Sequence, residues 1–544
     1  MTNKIIDGSS KTKPNKRHPG CVRNFYDYFS EYSSNSSIHG IKYVGEKKRS
    51  LVEKLCWLIV ITASLYICIY MIMKTYEKWQ MSPVIVSFAR SPTPVWEIPF
   101  PAVTVCSETK TRQSVFNYTD VYHKGLANNL TDDELSMLER ISLVCDSHLR
   151  PTGNSTIDYG TIDFLAKVSP SFDEVFYECK WMNQVKNCKD LFTPTLSEEG
   201  ICFTFNMLDR EELFTNVVFQ NREYLHHGIK STNWTLEDGY PPNAGRDVFP
   251  VRAISAGQGA GLSMLLRAYE KDLDYVCRGP VQGFKLLLHH AAEVPRVSQQ
   301  YFRAPLNQEI VVAIKPDMMT TSDGLKGYHP HRRQCYFPSE RQLRFYKVYT
   351  QQNCEVECLT NYTLQRCECV SYHMPHDEYT KLCGAGKTLC VHKASVSLLT
   401  SELEKNLDGK GKETKLGHQE CDCLPACTSL TYNSENSQAD FNWPKVFEAN
   451  KTNFEGLTGA KMTGVTLFFK EMQFITSERN ELYGPTDFLA NCGGLLGLFM
   501  GFSILSIVEI LYFLSLRLFC NLRNYGHHYW SGSPDLLEDE RYEH

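Results

Sequence analysis

Near the C-terminal end of the chain, Gly493-x3-Gly497-x3-Gly501 runs into Gly501-Phe502-Ser503, and a lone carboxylate, Glu509, follows eight residues after Gly501. All of these lie within Phe488 to Leu516, 29 residues whose only formal charge is Glu509. A run this apolar is long enough to cross a bilayer. A carboxylate inside it is costly unless it faces a wet cavity or a partner. Glycines four apart ordinarily mark close packing of membrane helices. Small residues, a hydroxyl and main-chain oxygens at mid-membrane depth can also replace part of an ion's hydration shell. The chemistry open to this set is coordination of a passing cation.

Positioning such a set takes a second span. Leu55 to Met73 supplies 19 uncharged residues between Lys54 and Lys74, ~28 Å of helix and about the thickness of the hydrocarbon core. It is a poor signal peptide, because 54 polar residues precede it. Two helices cannot enclose a pore, so several subunits must gather around an axis. Residues 1–54 hold eleven Lys and Arg, with Lys47, Lys48, Arg49 and Lys54 crowded before the first span, and Arg517 and Arg523 follow the second. That bias predicts cytosolic termini in a two-span protein. The expected division is a cytosolic segment 1–54, a first span 55–76, an extracellular domain 77–487, a second span 488–516 and a cytosolic tail 517–544.

The middle region carries marks of that compartment. Glycosylation acceptors stand at Asn117, Asn129, Asn154, Asn233, Asn361 and Asn450, with a seventh at Asn35 on the cytosolic side. Sixteen of 21 cysteines lie between the spans, leaving Cys21, Cys56, Cys68, Cys492 and Cys520 elsewhere. Ten of the sixteen crowd into residues 335–427, a thin-cored region stapled by bridges. Zinc could use Cys354-x3-Cys358, Cys367-x-Cys369 and Cys421-x-Cys423, but an oxidising compartment favours disulfides. A C-x-C pair cannot close on itself without severe strain. A nested ladder satisfies this: Cys335–Cys427, Cys354–Cys423, Cys358–Cys421, Cys367–Cys390 and Cys369–Cys383.

Other functions find little purchase. With 57 Lys and Arg against 62 Asp and Glu, the net charge is −5, which argues against nucleic acid as a partner. Gly257 to Gly261 lacks the strand-turn-helix setting of a dinucleotide loop. The adjacent pairs His289/His290 and His527/His528 share no helix face. Nothing supports an enzyme or a bound cofactor. Strands are expected at Val84–Phe88, Ala102–Val105, Ile201–Phe205, Gly283–His289 and Glu309–Ile314, and a helix capped by Thr131 with Glu134 three residues on. Glu355–Thr363 and Glu340–Lys347 read as helix or loop. Most of residues 1–54, apart from Ile38–Val44, reads as flexible, as does the acidic C-terminal tail.

From about His39 to Arg517 these residues resemble the degenerin/epithelial sodium channel superfamily, most nearly its insect pickpocket branch. His39-Gly40 is similar to the family's pre-membrane His-Gly, tied to gating. Phe100-Pro101-Ala102-Val103-Thr104-Val105-Cys106 resembles the strand entering the ectodomain, and Gly200–Asn206 and Gly283–His289 resemble later palm segments. Tyr349-Thr350-Gln351, the cysteines at 354, 358, 367 and 369, and Tyr372-His373-Met374-Pro375 resemble the cysteine-rich thumb. The family's pairing agrees with the ladder and implies Cys106–Cys202 and Cys179–Cys188. Cys145 and Cys277 lie beyond the common set and are expected to bond to each other. Gly501-Phe502-Ser503 resembles the G-x-S selectivity filter, with Glu509 below it. Ala490 falls at the degenerin position, where a bulky side chain favours the open state.

The resemblance implies an α+β membrane protein with two transmembrane helices, a disulfide-rich mixed α/β extracellular domain of acid-sensing-channel-like hand shape, and trimeric assembly from identical or related subunits. It implies a plasma-membrane, voltage-independent channel gated through its extracellular domain, blocked by amiloride and passing Na+ in preference to K+, with the ion in transit at Gly501 and Ser503. The alternative is a non-conducting accessory or obligate heteromeric subunit. ATP-gated trimers share the two-helix plan but lack the Phe-Pro-Ala-Val-Thr and G-x-S elements.

Overall fold

The computed structural model describes residues 20–81, 84–145, 156–219, 223–408, 421–451 and 457–533. Two compact units emerge, one spanning Val86–Asn480 and the other made of the two ends of the chain, Met1–Ile85 and Glu481–His544. Asn154 and the acidic tail after residue 533 lie outside the described residues.

The Val86–Asn480 unit is built on two sheets. The smaller runs Phe302–Pro305, Gly283–His289, Ala102–Ser107, Gly200–Phe205, Phe192–Ser197, antiparallel throughout. In the larger, Gln308–Thr321 pairs antiparallel with Ser429–Asp440 and parallel with Ala460–Phe469, which leads on to Leu262–Tyr269, Phe176–Trp181 and Gln184–Lys186. Leu262–Tyr269 alternates buried and half-buried positions, as a half-buried strand does, whereas all seven residues of Gly283–His289 are buried, Lys285 and His289 included. Phe100 joins the inner faces, with its ring edge-to-face on Trp181, Phe205 and Phe469 at 5.1, 6.1 and 5.3 Å.

Three helices, Tyr118–Leu126, Asp132–Ile141 and Gly160–Val168, form a separate small core around Tyr118, Ile141, Ile162 and Leu165. Thr131 and Glu134 close the expected reciprocal cap on the second of them. Glu355–Thr363 lies within a helix, Gln351–Cys367, while Glu340–Lys347 is loop. Cys354 and Cys358, one turn apart on that helix, bond to Cys423 and Cys421. Four helical residues rise ~6 Å and two extended residues ~6.6 Å, so the spacings match. The remaining bonds are Cys335–Cys427, Cys367–Cys390, Cys369–Cys383, Cys106–Cys202, Cys179–Cys188 and Cys145–Cys277.

A buried ionic cluster ties the smaller sheet to the loops around it. Glu199 accepts from Lys285 at 2.7 Å and Lys110 at 2.9 Å, and also pairs with Arg278. Burial alone would raise the Glu199 carboxyl, but the three cations hold it well below the usual range. Burial pushes the Lys110 ammonium down to about 8.

In the terminal unit Leu51–Met81 is one helix of 31 residues, exposed along almost its whole length. It overruns the expected span at both ends. The other apolar run departs from a single helix. Pro485–Met500 and Ile504–Tyr512 are separate helices, and the second continues through a π-helical turn, Phe513–Arg517, into Leu518–Tyr525. The N-terminal segment also departs from its reading as mostly flexible, for Cys21–Asn35 is a helix. Its polar residues are satisfied by the far end of the chain, with Glu31 on Arg517 at 2.7 Å and Asn24 Nδ2 donating to the His528 carbonyl at 2.8 Å.

Candidate functional site

Pro485–Met500 packs against Leu51–Met81, and their outer ends are pinned by Trp79, whose ring stacks on Phe488 at 5.0 Å and whose Nε1 donates to the Tyr483 carbonyl at 3.0 Å. An aromatic anchor of this kind suits a membrane boundary.

The helix then stops at Gly501. This residue is left-handed, at φ +64°, and its N–H still donates to the Gly497 carbonyl at 2.9 Å. A stop inside a bilayer strands the last carbonyls of the helix without partners. The Met500 carbonyl finds one 461 positions earlier in the chain, accepting from the His39 N–H at 2.9 Å. The His39 ring sits so close that a Cβ on Gly501 would fall 2.7 Å from it. Gly40, at φ +85°, makes the turn that returns the chain to the first span, and a Cβ there would meet the Ile61 side chain at 2.9 Å. Both positions require glycine on two counts, backbone conformation and space.

Ser503 restarts the helix. Its backbone is extended, its Oγ accepts from the Ser506 N–H at 3.3 Å, and its own N–H donates to Ser506 Oγ at 3.1 Å. Ser506 is completely buried and shares a 2.8 Å hydrogen bond with Ser37 Oγ. Ser37 in turn donates to one oxygen of Glu509, from its N–H at 3.1 Å and its Oγ at 2.9 Å. The charge thus has a polar partner within its own chain, which answers the cost of its position.

His39, Gly40, Gly501, Phe502, Ser503 and Glu509 are therefore gathered in one place, a three-residue break in the second span sealed by a turn from the N-terminal segment. Ala490 stands apart, exposed on Pro485–Met500, eleven residues or ~16 Å of helix before the break. Ser37 and Ser506 belong to the site and are absent from the sequence reading. Ser503 was a usable N-cap signal by residue type; nothing local marks Ser506 or Ser37. At Gly493 a Cβ would meet nothing within 4 Å and at Gly497 it would meet the Phe502 carbonyl at 3.9 Å, so these two glycines of the stripe, unlike Gly501, are not spent on packing within the chain. Of the glycosylation acceptors, Asn129, Asn233 and Asn450 are exposed and Asn117 and Asn361 half-buried.

Two apolar spans in one unit, the second broken at glycine in mid-run, together with a disulfide-stapled second unit describe a two-span channel subunit. The chain belongs to the amiloride-sensitive sodium channel family, whose model matches residues 32–513. It is 28% identical to Pickpocket protein 28 of Drosophila melanogaster over 90% of this chain and 79% of that protein. It is 25% identical to Sodium channel protein Nach of Drosophila melanogaster, covering 90% and 87%, and 22% identical to human acid-sensing ion channel 2, covering 88% and 84%. The protein is a sodium channel subunit of the plasma membrane with two spans, and not an enzyme.

Proposed function

We propose that three copies of this chain, or of this chain and related subunits, surround a pore that passes Na+ in preference to K+, is blocked by amiloride and opens in response to a stimulus on the extracellular domain. The observation that carries the reading is the break at Gly501–Ser503. Main-chain carbonyls freed by a broken helix, together with the Ser503 hydroxyl, offer oxygens to a partly dehydrated cation where an unbroken helix would offer none. Glu509, fixed by Ser37, adds negative charge next to that point and raises cation occupancy. The open glycine face at Gly493 lets helices from neighbouring copies approach the axis.

In this reading both termini are cytosolic, residues 77–487 are extracellular with sugars on Asn117, Asn129, Asn154, Asn233, Asn361 and Asn450, and residues 335–427 form the thumb. Ala490 lies beside the gate and His39-Gly40 supports the inner end of the filter. The test is recording from oocytes expressing this chain alone, wild type beside Ala490→Val, in Na+ and then K+, before and after amiloride. Persistent amiloride-sensitive Na+ current in the variant supports the reading. Silence despite surface labelling would make the chain a subunit that conducts only with partners.

A further inference from the structure

Beyond Tyr525 the chain does not leave the membrane unit at once. Gly526, at φ +98°, turns it back, and the returning segment is held at successive points. Asn521 Nδ2 donates to the Trp530 carbonyl at 2.9 Å, Asn24 Nδ2 to the His528 carbonyl at 2.8 Å, and the completely buried Ser531 donates from Oγ to Glu31 at 2.5 Å. These bonds deliver Ser533, half-buried, to the wall of a cavity of about 680 Å3.

The cavity is lined by four basic side chains and by three carboxylates, Asp27, Glu31 and Glu46. Lys42, Lys47 and Lys48 come from the segment before the first span, and Arg517 from the second. Part of that charge is spent, with Lys47 on Asp27 at 2.5 Å, Arg517 on Glu31 at 2.7 Å, and Glu46 taken by Arg49 at 2.7 Å. Lys42 and Lys48 are exposed and make no ion pair among the described residues. A pinned serine thus shares a cavity with two unpaired ammonium groups.

Pro534 follows Ser533 in the sequence. Proline disfavours the helical conformation at the residue before it and favours the extended form, the shape in which a kinase cleft takes a substrate serine. We propose that Ser533 is a phosphorylation site for a proline-directed serine kinase, and that Lys42 and Lys48 receive the phosphate. This rests on the cytosolic placement of the termini proposed above. In the transfer, Ser533 Oγ attacks the γ-phosphorus of ATP, the new O–P bond forms as the bond to the β,γ-bridging oxygen breaks, ADP leaves, and the hydroxyl proton passes to the kinase's base. The product carries ~2 negative charges and three strong acceptors, enough for one to three charge-assisted hydrogen bonds. It ties the returning segment to Ile41–Gly45, the helix that follows directly on the His39-Gly40 turn under the break. Phosphorylation would therefore steady the inner support of the pore.

The test uses the full chain in lipid nanodiscs, treated with a proline-directed kinase and Mg-ATP, with the phosphate mapped by mass spectrometry and trypsin cleavage after Lys42 and Lys48 timed. The expected results are incorporation at Ser533, its loss in Ser533→Ala and Pro534→Ala, and cleavage slowed about fivefold in the phosphorylated wild type only. Absence of phosphate at Ser533 when a denatured sample of the same chain accepts it would overturn the site. Incorporation with no change in cleavage would overturn the role of the lysines. Equal protection of the unphosphorylated chain by nanodiscs containing phosphatidylinositol 4-phosphate would assign them to a lipid headgroup and likewise overturn the proposal. The orientation is read separately, because staining of a C-terminal tag on intact cells would remove the cytosolic placement itself.

Discussion

Between Val86 and Asn480 eight disulfides and a buried ionic cluster hold the fold, whereas the terminal unit keeps Cys21, Cys56, Cys68, Cys492 and Cys520 as free thiols and, at the break in its second span, relies on glycines, serines and main-chain hydrogen bonds. The two regions face different costs. A domain of thin layers in an oxidising medium gains from constraint of the unfolded chain. A pore has to rearrange, and the links found at the break, such as His39 N–H on the Met500 carbonyl, are individually weak and reversible. The contrast predicts that substitutions in the first region act on folding and surface delivery, and substitutions in the second on conduction.

The largest expected effect is at the break. Gly501→Val places a branched side chain at φ +64° and against the His39 ring, and should abolish current while surface biotinylation stays within about half of wild type. Normal current would separate the His39 contact from conduction.

Next is Glu199→Gln, which leaves Lys110, Lys285 and Arg278 buried around a neutral amide. Breaking such a cluster costs ~3–5 kcal/mol and should trap the protein before the cell surface. The sign of the pH dependence follows from the depressed Glu199 carboxyl. Its contribution is complete above the unfolded-state value and is lost as pH falls through the lower folded-state value, so thermal melts of the wild type should drop as pH falls below about 4.5. Lys110 acts with the same sign at the alkaline end, since a group lowered to about 8 binds fewer protons folded than unfolded until its usual value of 10.5 is reached, so its share of the stability rises with pH across that range.

A smaller effect is expected from Cys145→Ala combined with Cys277→Ala. This bond closes a separation of 132 residues, and its loss should cost ~2–4 kcal/mol, seen as reduced surface delivery with the Na+ to K+ preference of the remaining channels unchanged. The smallest is Thr131→Ala, which removes one oxygen from the cap on Asp132–Ile141 and should lower stability by ~1 kcal/mol with no change in current per delivered channel.

The same contrast explains what the sequence could be made to yield. Gly283–His289 was readable from its apolar stretch Leu286-Leu287-Leu288 beside Phe284, and the Thr131 cap because its partner is three residues away. The helix Cys21–Asn35 was not, since Glu31 and Asn24 are satisfied by Arg517 and His528, 486 and 504 positions off, and local periodicity carries no trace of such partners. The break at Gly501–Ser503 hides in an apolar run of helical length. Composition marks Gly501 as a residue able to stop a helix, but the stop depends on a donor for the Met500 carbonyl, and that donor is His39. Glu509 announced a partner by its cost, without naming Ser37.

The central claim is that cations are selected at the break. The most direct test is the reversal potential under opposed Na+ and K+ solutions for Ser503→Cys in the Ala490→Val background, compared with Ala490→Val alone. Replacing the Ser503 oxygen by the larger, softer sulfur should shift the reversal potential toward that of a pore that no longer favours Na+. An identical reversal potential at full current would contradict the assignment of selectivity to Gly501–Ser503.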